Sequence, residues 1–380
     1  MLNSYLIKNG TLMSILDGSE KKTDILVENG IIVRIAENIE APGVEVFDAE
    51  GMYVSVGWLE AHCHFIQGKD SGIDTVEDLL RQGITYAVDM GSVGARDYAA
   101  CREEFLYRSD LKFMSYLNIA TAGVHGPDSE KPIDFEGPQD IDPERVTEAV
   151  QKYRGELLGL KARIDDRFCF DPVYVMDQLR ALGDQLNLPI AVHAPRSRIG
   201  IQNLLPYLKK GDVLCHTLAG NSDVMTIVDE EGKIKPCVLE AKERGVVFDL
   251  SHGSNAYSYD TAEAAWKAGF FTDTISSDLH GMNINGPVYN LGVIMTKVRG
   301  LTGKPWPWIL NKAIAEPVRL QHIPNKAVEV KEGMTADLTV FSIDKGEFVY
   351  EDSKKASRTF REKATAVYTC IGSKVYVCRT

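Results

Sequence analysis

The sequence predicts an α/β fold: a (β/α)8 barrel with a small β-sandwich module formed by both chain ends. Three observations lead there. The middle of the chain alternates short apolar runs with helical patterns, the two ends read as strands and turns alone, and several apolar runs finish in His, Lys or Asp. In a closed parallel barrel, functional groups gather at the C-terminal ends of the strands. An open doubly wound sheet fits less well. The first βα loop lacks a Gly-x-Gly-x-x-Gly and no P-loop is present, so nucleotide-binding folds find no support.

In the N-terminal part, residues 1–53, short strands are expected at Ser4–Lys8, Asp24–Glu28, Ile31–Ile35 and Val44–Asp48. Gly18-Ser-Glu-Lys-Lys is a turn, and Asn29-Gly30 is a strong hairpin signal. Residues 54–323 hold the barrel. Its candidate strands are Val54–His64, Ile84–Met90, Lys112–Thr121, Leu158–Ile164, Pro189–Ala194, Val213–Thr217, Val246–Ser251 and Thr272–Asp278. Helical patterns between them cover Thr75–Gln82, Asp142–Arg154, Asp171–Leu186, Ile201–Lys209, Cys237–Arg244 and Thr261–Ala268. Asp142-Pro143 and Asp171-Pro172 each set an N-cap before a proline suited to the first turn. The C-terminal part, residues 324–380, supplies Ala327–Val330, Ala336–Ser342, Ala364–Ile371 and Lys374–Cys378, with Gly372-Ser373 as a turn.

Bulk composition narrows the classes. A chain of 380 residues that is 44% hydrophobic and 25% charged can bury a sizeable core. A net charge of −12 argues against nucleic acid and anionic membranes as partners. The seven scattered cysteines contain no Cys-x-x-Cys pair, so neither a zinc knuckle nor a disulfide framework is indicated. Residues 1–10 lack the basic region and apolar run of a signal peptide, and no stretch approaches the roughly 18 apolar residues of a membrane span. A reducing cytoplasm is the expected location. Self-association stays open, since no stretch identifies an interface.

The strand ends carry the chemistry. His62 and His64 are two residues apart on a strand, so their imidazoles share a face. Lys161 and Arg163 end strand four, His193 strand five, His216 strand six and Asp278 strand eight. Each has a plainer reading: a surface pair for the first two, satisfied core histidines for His193 and His216, a helix cap for Asp278. Lys161 resists such a reading, because an unpaired ammonium in an apolar strand is costly to desolvate. Conversion of its amine to a carbamate by CO2 would make it an anionic oxygen donor. Together, His62, His64, Lys161, His193, His216 and Asp278 form an inventory of metal ligands.

On these residues the chain resembles the amidohydrolase superfamily over nearly its whole length. His62-Cys-His64, Lys161, His193, His216 and Asp278 match its metal motif, and Gly333-Met-Thr-Ala-Asp-Leu-Thr-Val-Phe341 is similar to its returning strand. The resemblance implies a TIM-like barrel with two divalent metal ions, zinc being the usual one. His62, His64 and Asp278 would hold the buried ion, His193 and His216 the more exposed one, with a carboxylated Lys161 and a hydroxide bridging them. Phe248-Asp-Leu-Ser-His-Gly253, Ser276-Ser-Asp-Leu-His-Gly281 and Gly286-Pro-Val-Tyr-Asn290 look most like the dihydroorotase-like branch with its deacetylases. Ser251 stands where family patterns often have Gly, and Cys63 replaces a commoner aliphatic residue; its side chain should point away from the metals.

The reaction this implies is hydrolysis of an amide, or a related ester, of a small molecule. Two ions about 3.5–4 Å apart polarise a carbonyl and lower the pKa of the bridging water. Hydroxide attacks, and Asp278 carries the proton to the leaving group. The expected substrate is an N-acyl amino acid or acylated hydroxy acid. A cyclic amide of the dihydroorotase or hydantoinase kind is the alternative, ahead of a deaminase or a non-catalytic scaffold. For substrate contacts, Arg163 is either a carboxylate clamp or half of an internal ion pair. His125, His252 and His280, on loops after strands three, seven and eight, are candidates to face substrate, whereas His322 reads as structural.

Overall fold

The computed structural model describes residues 4–66, 73, 76–103, 109–125 and 133–378. The N-terminal part forms β1 (Ser4–Met13), β2 (Glu20–Glu28), β3 (Ile31–Ala36), β4 (Glu45–Asp48) and β5 (Tyr53–Val56). Asn29-Gly30 turns the chain between β2 and β3 as predicted. Its φ angles of 50° and 79° are the left-handed pair a tight hairpin requires.

The run Val54–His64, expected as one strand, is two. β5 ends at Val56, and β6 (Trp58–Cys63) begins beyond Gly57 in a different sheet. A Cβ on Gly57 would lie 2.1 Å from Asp337 Oδ1 and 2.2 Å from Thr85 Oγ1. Only glycine lets the backbone cross there. Both strands are buried, so the apolar run continues through the break and periodicity does not reveal it.

β6 is followed by β7 (Ile84–Gly94), β8 (Lys112–Asn118), β9 (Leu157–Arg163), β10 (Ile190–His193), β11 (Val213–Leu214) and β12 (Val247–Phe248). They pair side by side in chain order as a 7-stranded parallel sheet. The expected eighth strand, Thr272–Asp278, closes the cylinder without a regular ladder. Parallel bridges join Asp249 to Thr274 on one side and Cys63 to Leu279 on the other, and Asp278 N donates to His62 O at 2.7 Å. Strands six and seven are shorter than predicted for a related reason. His216, Ser251 and Asp278 turn out of the ladder with φ of 59°, 33° and 53°. Such conformations cost of order 1–3 kcal/mol each and collect at functional sites. Here they all lie at one mouth of the barrel.

The helices follow their signals. Asp142 caps Pro143–Tyr153 by accepting from Arg145 N, and Asp171 caps Pro172–Leu186 by accepting from Val173 N and Tyr174 N. The predicted Ile201–Lys209 helix is instead Ile201–Leu204 followed by a 3-10 turn at Leu205–Tyr207, because Pro206 has no N–H to continue an α-helix. Of the predicted Thr75–Gln82, Val76–Leu80 is helical; Thr75 lies outside the described residues. Among these residues no helix is long and apolar enough to cross a membrane.

After the barrel come β13 (Asp337–Glu351), β14 (Ser357–Ile371) and β15 (Lys374–Val377), while Ala327–Val330, expected as a strand, is irregular. The module formed by both chain ends is a single 8-stranded sheet, ordered β15-β14-β13-β5-β1-β2-β3 with β4 on β1. Its buried face gathers Tyr5, Ile7, Ile25 and Val27 against Leu338, Val340 and Cys370. β13 and β14 run well past the predicted Ala336–Ser342 and Ala364–Ile371. Their hairpin tip reaches the barrel, where Tyr259 N donates to Asp352 Oδ2 at 2.8 Å and Ser353 Oγ to Gly253 O at 3.1 Å.

Candidate metal centre and active site

The barrel places His62 and Lys161 in its buried interior and brings His64, His193, His216 and Asp278 to the same mouth. One ligand atom each from His62, His216 and Asp278 falls within 4.8 Å of the others. His64 Nε2 is 3.2 Å and His62 Nε2 3.6 Å from Asp278 Oδ1. His193 Nδ1 and His216 Nε2 approach to 2.7 Å. The six residues, up to 216 positions apart from His62 to Asp278 in the numbering, meet in one place.

Each of three rings is anchored on its outer side. His62 Nδ1 is 3.0 Å from Asp249 Oδ2, His216 Nδ1 is 2.7 Å from Ser251 O, and His64 Nδ1 is 2.8 Å from Ser92 Oγ. Ser92 Oγ in turn donates to Asp89 Oδ2 at 2.7 Å. With Nδ1 of His62 and His216 turned to an acceptor, Nε2 is the nitrogen left facing the cluster, the arrangement found around metal-ligating histidines. His62 Nε2 is buried without a hydrogen-bond partner, which is costly for an imidazole serving only as packing.

Electrostatics point the same way. Burial pushes the His216 imidazole down to about 3 and His193 well below its usual range, so both present lone pairs at neutral pH. Burial also opposes ionisation of Asp278, but the hydrogen bond from His64 and the neighbouring imidazoles hold its carboxyl well below the usual range. For His62, burial and Lys161 act downward, yet Cys215 and Asp249 carry it up to about 10. A cation binding at His62 must displace that proton.

A cavity of about 350 Å3 opens over the cluster. His125, His280 and Arg163 line it. His280 Nε2 is 3.1 Å from Ser254 Oγ, and His125 Nδ1 is 2.8 Å from Ile133 O. Arg163 resolves its two readings toward the ion pair: Nε and Nη2 each reach an Asp134 oxygen at 2.6 Å, and Nη2 also donates to His125 O. His252 departs from expectation. It is fully buried outside the cavity lining, stacked on Tyr257 at 4.4 Å, with Nε2 2.9 Å from Lys297 Nζ. The turn at Ser251 sends its ring behind the loop. Cys63 is buried against Val88 O, away from the cluster as expected; His322 is exposed.

No family model matches the chain. A deacetylase of Enterococcus faecalis is 28% identical over 379 residues, covering 98% of each chain, and one of Brucella anthropi is 26% identical over 94% of this chain and 89% of its own. A dihydroorotase of Ruminiclostridium cellulolyticum is 42% identical over 74 residues, 20% of this chain and 17% of its own. Among solved structures, a dihydroorotase superposes with a TM-score of 0.88 at 24% identity over 99% of this chain and 98% of its own, and an adenine deaminase with 0.86 at 26% over 98% and 99%. The deacetylase, dihydroorotase and adenine deaminase matches support the resemblance to the amidohydrolase superfamily.

It is a hydrolytic, metal-dependent enzyme, and the donor set fits a divalent cation. Buried imidazoles and an ionised carboxylate converge, and three of the four rings are braced from behind. Lys161 fits only after modification. Its Nζ has one described polar partner, Cys215 Sγ at 2.9 Å, and an ammonium there would repel a cation. The braces Asp249, Asp89 and Ser92 are not among the residues the sequence singles out. The signal was available: Asp89 and Asp249 are, like Lys161, charged residues in apolar runs, and both are buried. Removing such a brace lowers metal affinity by roughly 10–100-fold. Asp249→Asn is therefore expected to lose metal to a competing chelator within that range while melting near the unmodified protein; unchanged metal affinity would show that Asp249 does not orient His62.

Proposed function

We propose that the protein removes the acyl group from a small N-acyl amino acid or acylated hydroxy acid. The observation that carries this reading is the near full-length similarity to deacetylases, joined to a small cavity floored by the imidazole–carboxylate cluster. His62, His64 and Asp278 would hold one divalent ion and His193 and His216 a second, both zinc, with a carbamate on Lys161 between them. Bound there, such ions polarise the scissile carbonyl and lower the pKa of water towards neutrality.

The chain's own residues do the rest. Asp278, ionised and beside the cluster, accepts a proton at its carboxylate and delivers it to the departing nitrogen or oxygen. An amide nitrogen leaves poorly unless protonated, so this transfer matters more for amides than for esters. His280, on the cavity wall beside Ser254, and His125 are placed to orient the substrate. A small-molecule substrate suits the cavity's volume. The cytoplasm remains the proposed location, on the strength of the scattered thiols.

The second reading is a cyclic-amide hydrolase, favoured by the local identity to a dihydroorotase. Product analysis with zinc-reconstituted protein separates the readings across N-acyl amino acids, acyl esters and cyclic imides. Stoichiometric acetate from an N-acetyl substrate is expected. Ring opening without a second product would replace this reading with the cyclic one, ammonia release with a deaminase, and less than one equivalent of divalent metal per chain after reconstitution with a scaffold.

A further inference from the structure

Of the clustered histidines, His193 alone lacks an outer brace. Its Nδ1 faces His216, so Nε2 is its outer nitrogen, and that atom is buried without a partner. Asp165 Oδ2 stands 3.9 Å from it, beyond the roughly 2.7–3.2 Å of a hydrogen bond. Asp165 is fully buried and is pulled the other way. Arg167 grips it with a two-toothed fork, Nε to Oδ1 at 2.8 Å and Nη2 to Oδ2 at 2.9 Å.

Arg167 is no ordinary brace for a buried acid. Its side chain is 35% exposed, lines the cavity and lies over the Phe168 ring at 4.7 Å. The turn that Asp165 caps accounts for one of its oxygens: Arg167 N donates to Oδ1 at 3.1 Å. It does not account for Oδ2 standing beside the one unbraced imidazole. Arg163, the other cavity arginine, spends its fork on Asp134, which is not among the groups bracing the cluster. A solute anion in the cavity can therefore reach the clustered imidazoles through Arg167 and not through Arg163.

We propose that Asp165 is a positioning residue for His193 and that Arg167 controls it in response to the carboxylate of an anionic substrate. The carboxylate draws the guanidinium towards itself, Oδ2 is released, and Asp165 accepts the Nε2–H of His193. The ring is then braced like its neighbours when substrate is present. This rests on the proposed function, in which His193 holds a metal ion and the substrate is an acid. Linkage makes it measurable: if an anion improves the hold on metal, metal improves the hold on the anion.

The test uses zinc-loaded protein, a chromogenic chelator and two uncleavable probes, N-(methylsulfonyl)alanine and its carboxamide. The acid is expected to slow zinc release by roughly tenfold, the lower end of what an outer partner contributes, and the carboxamide to leave it unchanged. R167Q is expected to release zinc slowly with no probe, since nothing holds Asp165 away. D165N is expected to release it quickly with either probe. Equal slowing by acid and carboxamide, acid-specific slowing that survives in D165N, or an R167Q rate equal to the unliganded parent would each overturn the proposal. The parent's acid-to-carboxamide ratio and R167Q suffice should D165N fail to fold. Protein that loads zinc and releases acetate without the acid-specific effect defeats this proposal alone; protein that takes up no zinc defeats the functional reading with it.

Discussion

Lys161→Ala is expected to lower turnover by more than about a hundredfold, the upper end of what losing a group that supports a bound metal costs. Formate, acetate or propionate should restore part of it. Lys161 is buried in β9, and Gly91, at a φ of 81°, passes so close that a Cβ there would lie 2.6 Å from Lys161 Cβ. The lysine stem thus occupies a slot built around it. Its ammonium stands among imidazoles with a thiol as its described partner, a poor arrangement for a positive charge and a good one for an anion made from it. Truncation leaves a space shaped for a small carboxylate. Turnover within about twofold of the unmodified enzyme, in protein of unchanged melting temperature, would reject the carbamate.

Asp278→Asn is expected to retain metal within about tenfold and to lose roughly 10²–10⁴ in kcat. The amide is isosteric, and the site has little slack. Gly253 at a φ of 58° leaves room for the carboxylate, since a Cβ there would sit 2.4 Å from Asp278 Oδ2. The oxygen facing His64 and His62 survives the substitution, so a donor to a cation remains, but the site that takes up a proton does not. Comparing an N-acyl amino acid with a p-nitrophenyl ester isolates the transfer to the leaving group. The amide should suffer more, because p-nitrophenolate leaves without protonation. Equal losses on both substrates would remove Asp278 from that role.

The barrel and six proposed ligands were legible because they combine two independent patterns. Apolar runs at regular intervals predict strands, and polar residues at the ends of those runs have few structural uses. What could not be read was direction and distance. His252 and His280 both follow a strand closely, yet one ring turns behind its loop to Lys297 and the other lines the cavity. The chain turns at positive φ at Ser251 and at Asp278, just before each of them, and neither residue type announces such a turn. Arg163 shares a face with Lys161 by spacing, but its fork closes on Asp134, 29 positions away. The β13–β14 arm went unrecognised beyond Ser342 because much of its extension is exposed and charged, the pattern of a loop.

By itself the sequence determined which side chains are available at strand ends and which of them are too costly to bury without a partner. Hydrophobic periodicity and desolvation are local or one-body effects, so they can be read from the chain alone. Tertiary structure alone decided which acid braces which imidazole, where Gly57 passes between the sheets, and that Arg167 holds the carboxylate standing beside His193. Those are distances of a few ångströms between remote positions, and they exist only once the cylinder has closed.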